Sequence, residues 1–303
     1  MRVFAPGKML ITGAYAVLEG APALVASVSR GAVAFDGETG PSTPEVLAAL
    51  GEAPAPRVDA GALFEQGRKL GLGASGAILV ATLGLVRRRR GQDLASPSVR
   101  EEIFAEARRA HAEAQQGGSG VDVAASVHGG VLRYTLRGGS GGSADIAPAR
   151  LPSGVSFTVY SSRTSARTPV LRAAVDALRQ REPRLHTRLF STLTRASVEA
   201  VRGAESDDPE SFLAAVQAFG RALFELGRAA DAPIVPGELR PLAAEAERSG
   251  AAFLPSGAGG GDVALLLGTP PHDFDARARS VGWAPLPLTV DTEGVRMLSA
   301  SPG

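Results

Sequence analysis

Apolar positions fall in short runs punctuated by turn-forming residues from the amino terminus onward. RVFA, MLITGAYAVL and PALVASVSRGAVAF read as successive strands, because apolar runs bounded by Gly and Pro suit buried strands. Residues 36–61 are rich in Gly, Pro, Ser and Glu and read as a loop with a short helix near 44–50. Helical spacing of Ile78, Leu79, Leu83 and Val86 predicts a helix from about Ser75 to Arg90, stopped by Gly91. A second helix starts at Ser98, spaced from Glu101 as in a capping box, and runs to about Gln116. A glycine-rich turn, a short helix over VDVAASV and a strand, GVLRYTL, follow, then a hairpin tip at 137–145. Strand VSFTVYS leads through a polar loop into three or four helices between 168 and 250, and the end reads as AAFLP, a glycine loop, DVALLLG, a helix and PLPLTVD. Such mixed alternation predicts an α+β protein with antiparallel sheets. The turn from Pro148 to Pro152 is the natural boundary, giving domains 1–150 and 151–303.

Composition narrows the field. At 303 residues the chain is long enough for two modest cores. A net charge of +1 gives no reason for a nucleic-acid partner. No apolar run reaches the roughly 18 residues of a membrane helix, and MRVFAPGKML lacks the layout of a signal peptide. A cytoplasmic protein without a membrane partner is expected. With no Cys and 4 scattered His, a thiolate or zinc site is not expected. Of 32 basic residues only Lys8 and Lys69 are lysines, and each lies in or beside a glycine-rich segment. The run Arg87–Arg90 closes a helix, where cations suit the carboxyl end of the dipole.

Four glycine-rich segments hold the candidate chemistry. In Lys69-Leu70-Gly71-Leu72-Gly73-Ala74-Ser75-Gly76 a glycine loop opens an apolar helix. Bare N–H groups and the helix dipole then converge on one point, as an anion site requires; a tight turn needing positive φ is the competing explanation. Residues 71–76 satisfy G-x-G-x-x-G, but no strand precedes them and Asp93 follows no second strand, so the dinucleotide reading fails on context. No Lys-Ser or Lys-Thr follows, which removes the P-loop as well. Ala5-Pro6-Gly7-Lys8 suggests a lysine fixed by a turn between strands. Ser256-Gly257-Ala258-Gly259-Gly260-Gly261 lets backbone approach a ligand or another loop. In Gly117-Gly118-Ser119-Gly120-Val121-Asp122 the aspartate opens a short apolar helix. It is either a surface cap or a carboxylate that orients or deprotonates a hydroxyl.

Together these segments resemble the GHMP kinases, with APGKMLITGAYAVLEGAPAL, KLGLGASGAILVA and PSGAGGGDVALLL as the three family motifs in order. The likeness runs along essentially the whole chain. Within the family AHAEAQQGGSGVDVAASVHGG is similar to the segment of the phosphomevalonate kinase group, whereas mevalonate kinases usually have Asn where Val123 stands. The resemblance implies an amino-terminal α/β domain with a mixed sheet, a ferredoxin-like carboxyl-terminal domain, and an active site in the cleft between them. It implies ATP-dependent phosphorylation of 5-phosphomevalonate, with Mg²⁺, in a monomer or homodimer.

By the same resemblance Gly71, Gly73, Ala74, Ser75 and Gly76 would cradle the ATP phosphates and Ser75 would bind Mg²⁺. Asp122 and Lys8 would be catalytic. Ser119, Gly120, Gly257, Ala258 and Gly259 would line the substrate side, with Ser165, Arg167 and Thr168 on the phosphate of a small phosphorylated alcohol. Three departures stand out: Ala14 where the family usually has Glu, Ala74 where it usually has Ser, and a short stretch over about 28–68. Mevalonate kinase and a non-catalytic, ligand-binding family member are the competing readings. Diphosphomevalonate decarboxylase usually reads Gly-Leu-Ala-Ser-Ser, which GLGAS does not match.

Overall fold

The structure, a computed structural model, describes residues 1–139, 142–162 and 168–299. In chain order it contains β1 (Arg2–Thr12), β2 (Ala23–Thr39), α1 (Pro44–Leu50), β3 (Pro56–Asp59), β4 (Phe64–Glu65), β5 (Arg68–Lys69), α2 (Ala74–Arg89), α3 (Pro97–Ala114), α4 (Val121–His128), β6 (Val131–Arg137) and β7 (Ser143–Ala149). There follow β8 (Phe157–Ser162), α5 (Thr168–Arg181), α6 (Pro183–Glu205), α7 (Pro209–Ala229), α8 (Leu239–Arg248), β9 (Ala252–Pro255), β10 (Val263–Leu267), α9 (Phe274–Ser280), β11 (Trp283–Leu286) and β12 (Arg296–Met297). Among the described residues no helix is long and apolar enough to cross a membrane.

The chain divides into two compact units. One comprises residues 1–9, 25–148 and 289–303, the other 10–24 and 149–288. In the first, a sheet runs in the order β12-β1-β2-β6-β7, with β3 added beside β2. Helix α2 lies close on β1: a Cβ at Gly84 would come within 3.0 Å of Val3. Helix α4 is tied to the strands by two buried hydroxyls, Ser126 Oγ to the Pro6 carbonyl at 2.7 Å and Ser27 Oγ to the Ala125 carbonyl at 2.8 Å. Arg87, at the end of α2, pairs with Glu106 of α3 at 2.7 Å rather than standing free.

In the second unit four antiparallel strands run β11-β8-β10-β9. One apolar cluster joins them to α8 and α9, with Tyr160, Phe253, Phe274 and Trp283 packed edge to face. Residues 10–24 belong to this unit, and Leu10 N–H donates to Ser256 Oγ at 2.8 Å.

Three local expectations are corrected. The Pro6-Gly7 pair makes no turn but lies inside the continuous strand β1. The second long helix begins at Pro97 with Ser96 as its N-cap, and no side-chain capping bond forms there; proline's fixed φ starts the helix one residue before the Ser98 box. The strand expected at PLPLTVD is instead Trp283–Leu286, followed by β12, and Val290 makes a single bridge to Val28.

Candidate functional site

The first unit gathers Lys8, the loop at 70–73, the start of α2 and the start of α4. The loop lies against β1, where Lys8 N–H donates to the Leu72 carbonyl at 2.8 Å. A Cβ at Gly7 would sit 2.6 Å from that same carbonyl, so glycine at position 7 is what permits the approach. Gly73 is the N-cap of α2, in left-handed conformation at φ 75°, with no side chain bonded to the first-turn N–H groups. Those N–H groups point out of the helix without intrahelical acceptors. A Cβ at Gly73 would lie 3.0 Å from Lys8 Cγ and 3.6 Å from Asp122 Cβ; one at Gly76 would lie 3.3 Å from Asp122 Oδ2. Each glycine of the loop thus has its own cause: conformation at 71 and 73, clearance for Lys8 and Asp122 at 73 and 76. Lys8 Nζ donates to the Gly71 carbonyl at 3.3 Å.

Asp122 sits in the first turn of α4, which is capped by Gly120 at φ 75°. Its Oδ1 accepts from Val123 N–H at 3.0 Å, and its Oδ2 lies 3.1 Å from His111 Nε2 on α3. Burial pushes the Asp122 carboxyl up, but the His111 and Lys8 charges and the donated hydrogen bonds outweigh it and hold the group well below the usual range. Burial pushes His111 down, and the adjacent Asp122 more than offsets this, raising it.

The same face of α3 continues one turn later. Gln115 Nε2 donates to Glu45 Oε1 at 3.1 Å and to Ser75 Oγ at 3.4 Å. Ser75 Oγ also lies 3.4 Å from His111 Nε2. Glu45 is buried; burial raises its carboxyl, while hydrogen bonds from Gln115, its own N–H and Thr43, with the charge of His111, bring it below the ordinary value. His111, Gln115 and Glu45 escape the sequence reading, although His111 and Gln115 stand four apart in a predicted helix and therefore share a face. Among the described residues no group of three His, Asp or Glu is set to close on a metal.

The remaining expected residues divide among three places. Ser119 and Gly120 precede α4; the Ser119 carbonyl accepts from the Tyr134 hydroxyl, which burial pushes up to about 12. The segment 257–259 lies in the second unit, where the Ala258 carbonyl accepts from Tyr15 Oη at 2.7 Å and a Cβ at Gly259 would fall 2.0 Å from the Ile234 carbonyl. Glycine at 259 is required by that approach and by its left-handed backbone at φ 80°. Thr168 opens α5 and is exposed, while Ser165 and Arg167 lie outside the described residues. The arrangement in the first unit joins a helix start without a side-chain cap, an ammonium and an ionised carboxylate, groups of the kind that phosphoryl transfer uses.

Comparison with known proteins bears on family and fold. A family model described as the GHMP kinases N terminal domain matches residues 65–130, which carry the loop, α2, α3 and α4. A phosphomevalonate kinase of Streptomyces sp. (strain CL190) is 34% identical over 258 residues, covering 77% of this chain and 67% of that protein. A mevalonate kinase of Archaeoglobus fulgidus is 25% identical over 279 residues, 85% of this chain and 88% of the relative. Among solved structures, Streptococcus pneumoniae phosphomevalonate kinase, in complex with phosphomevalonate and AMPPNP, superposes with a TM-score of 0.78 at 17% identity, covering 96% of this chain and 99% of that one. At that identity the likeness concerns the fold.

Proposed function

The chain belongs to the GHMP kinases, and on that footing we propose that it transfers the terminal phosphoryl group of ATP to 5-phosphomevalonate, giving 5-diphosphomevalonate and ADP. The observation that carries this is the meeting of Lys8 and Asp122 at the glycine-opened start of α2, in a chain 34% identical to a phosphomevalonate kinase.

In this reading the N–H groups from Gly71 to Gly76 hold the phosphates, and the vacant N-cap at Gly73 leaves them free for it. Asp122, kept ionised, accepts a hydrogen bond from the nucleophilic oxygen of the acceptor phosphate or its proton. Lys8 faces the same point and neutralises negative charge as the two phosphates approach. Ser119 and Gly120 at the head of α4 are assigned to the acceptor, and so, by the family resemblance, are Gly257, Ala258 and Gly259 of the second unit. Ser165, Arg167 and Thr168 bind the acceptor's own phosphate, for which a guanidinium fork is suited.

Ser75 Oγ, a hydroxyl oxygen in the first turn of α2, would be the residue to hold Mg²⁺, an ion that favours oxygen donors and needs few from the protein. When bound, it would supply neutralisation of phosphate charge.

Mevalonate phosphorylation is the second reading, favoured by the longer match, over 85% of the chain, to the archaeal mevalonate kinase. A purely ligand-binding family member has no use for a paired Lys8 and Asp122. Purified protein, Mg-ATP and each acceptor in turn, with ADP release coupled to a spectroscopic readout, separate the three. Turnover with phosphomevalonate is expected; turnover with mevalonate alone transfers the proposal to the second reading.

A further inference from the structure

We propose that His111 is the positioning residue of this site, fixing the Asp122 carboxylate through its Nε2–H with the ring set against the Ser75 hydroxyl. The proposal rests on the kinase reading above.

Asp122 presents both oxygens to fixed donors. Oδ1 takes the Val123 N–H at 3.0 Å and Oδ2 faces His111 Nε2 at 3.1 Å. An ionised carboxylate only accepts, so Nε2 is the donor and the tautomer is set. The first donor belongs to α4 and the second to α3, so the carboxylate plane is defined by two elements rather than by its own rotamer. The same Nε2 lies 3.4 Å from Ser75 Oγ at the first turn of α2. One ring therefore touches both the acid proposed to meet the acceptor and the hydroxyl proposed to meet the metal.

The other side of the ring explains why this is a histidine. His111 is only 5% exposed, and its Nδ1 is buried with no hydrogen-bond partner. A Cβ at Gly118, 3.7 Å away, would be in ordinary contact with it. Leucine or phenylalanine would fill this core position without leaving a buried nitrogen unpaired. The cost is accepted at a place where Nε2 alone has work to do. A catalytic group held by a neighbour locked in packing is the arrangement that keeps reacting atoms within tenths of an ångström.

The test compares His111→Leu, His111→Gln, Asp122→Asn and the double variant His111→Leu/Asp122→Asn. Gln carries an amide Nε2 that reaches about as far as the imidazole Nε2, and Leu carries none. We expect His111→Leu to lower kcat by roughly 10²-fold, the scale of an ångström's misplacement, with KM for ATP changed less than about threefold. His111→Gln should recover most of the loss, and the Leu substitution should cost little further in the Asp122→Asn background. The proposal is overturned if His111→Leu turns over near the wild-type rate, if Gln falls as far as Leu, or if the Leu loss persists in full without the Asp122 carboxylate. Should His111→Leu fail to fold, the Gln variant decides by the same kcat and KM comparison. The pair is also read without substrate, by urea midpoints of the four proteins. Additive changes overturn the coupling even if the wild type turns over neither acceptor, an outcome that would sink the kinase reading separately.

Discussion

At the level of single residues, the sequence already marks Lys8 and Asp122, because one of only two lysines and an aspartate each stand in a glycine-containing segment. It does not reveal that the two share the space cleared by Gly73 and Gly76, since that requires β1, α2 and α4 to be brought together. Nor does it single out His111, whose helical position reads as core until Asp122 is found 3.1 Å away. Asp122→Asn keeps the shape and removes the charge; kcat should fall at least roughly 10²-fold with ATP affinity little changed, as steady-state kinetics and nucleotide titration would report. The same carboxylate gives a pH dependence. Its folded value is depressed, so its contribution to stability is complete above the unfolded value of about 4 and is lost as the pH falls through the folded one. His111 is raised, so its contribution is complete below about 6.5 and is lost as the pH rises through its folded value. The difference in urea midpoint between wild type and Asp122→Asn should therefore be largest between about pH 4 and 6.5. A pH-independent difference would contradict the pairing.

At the level of elements, helices α2 and α4 are legible within a residue or two, because their apolar spacing and flanking glycines speak for themselves. The start of α3 is misread because Pro97, which fixes the first turn, competes with the Ser98 box. The Pro6-Gly7 pair is misread as a turn because glycine there answers a tertiary demand, the approach of the Leu72 carbonyl. Short range periodicity carries no record of such contacts. The loop before α2 should be the most sensitive element. Gly73→Ala places a side chain at positive φ and against Lys8. It should cost about 1–2 kcal/mol of stability, and it should weaken ATP binding by more than its effect on the melting temperature suggests. An unchanged nucleotide affinity in Gly73→Ala would remove the loop from the phosphate site.

At the level of the whole molecule, α+β architecture follows from the alternation of elements, and the chain is a GHMP kinase. The interleaving of the two units, with 10–24 counted in one and 289–303 in the other, is invisible to local pattern, because it depends on which sheet a terminal segment joins. Choice of acceptor is a property of this scale too. In the proposed reading it would rest on residues far apart in the sequence, Ser119 and Thr168 among them. Coupled ADP release with Mg-ATP and purified protein tests the central claim most directly: rapid turnover with 5-phosphomevalonate and little with mevalonate is predicted, whereas turnover with mevalonate alone, or with neither acceptor while ATP still binds, would contradict it.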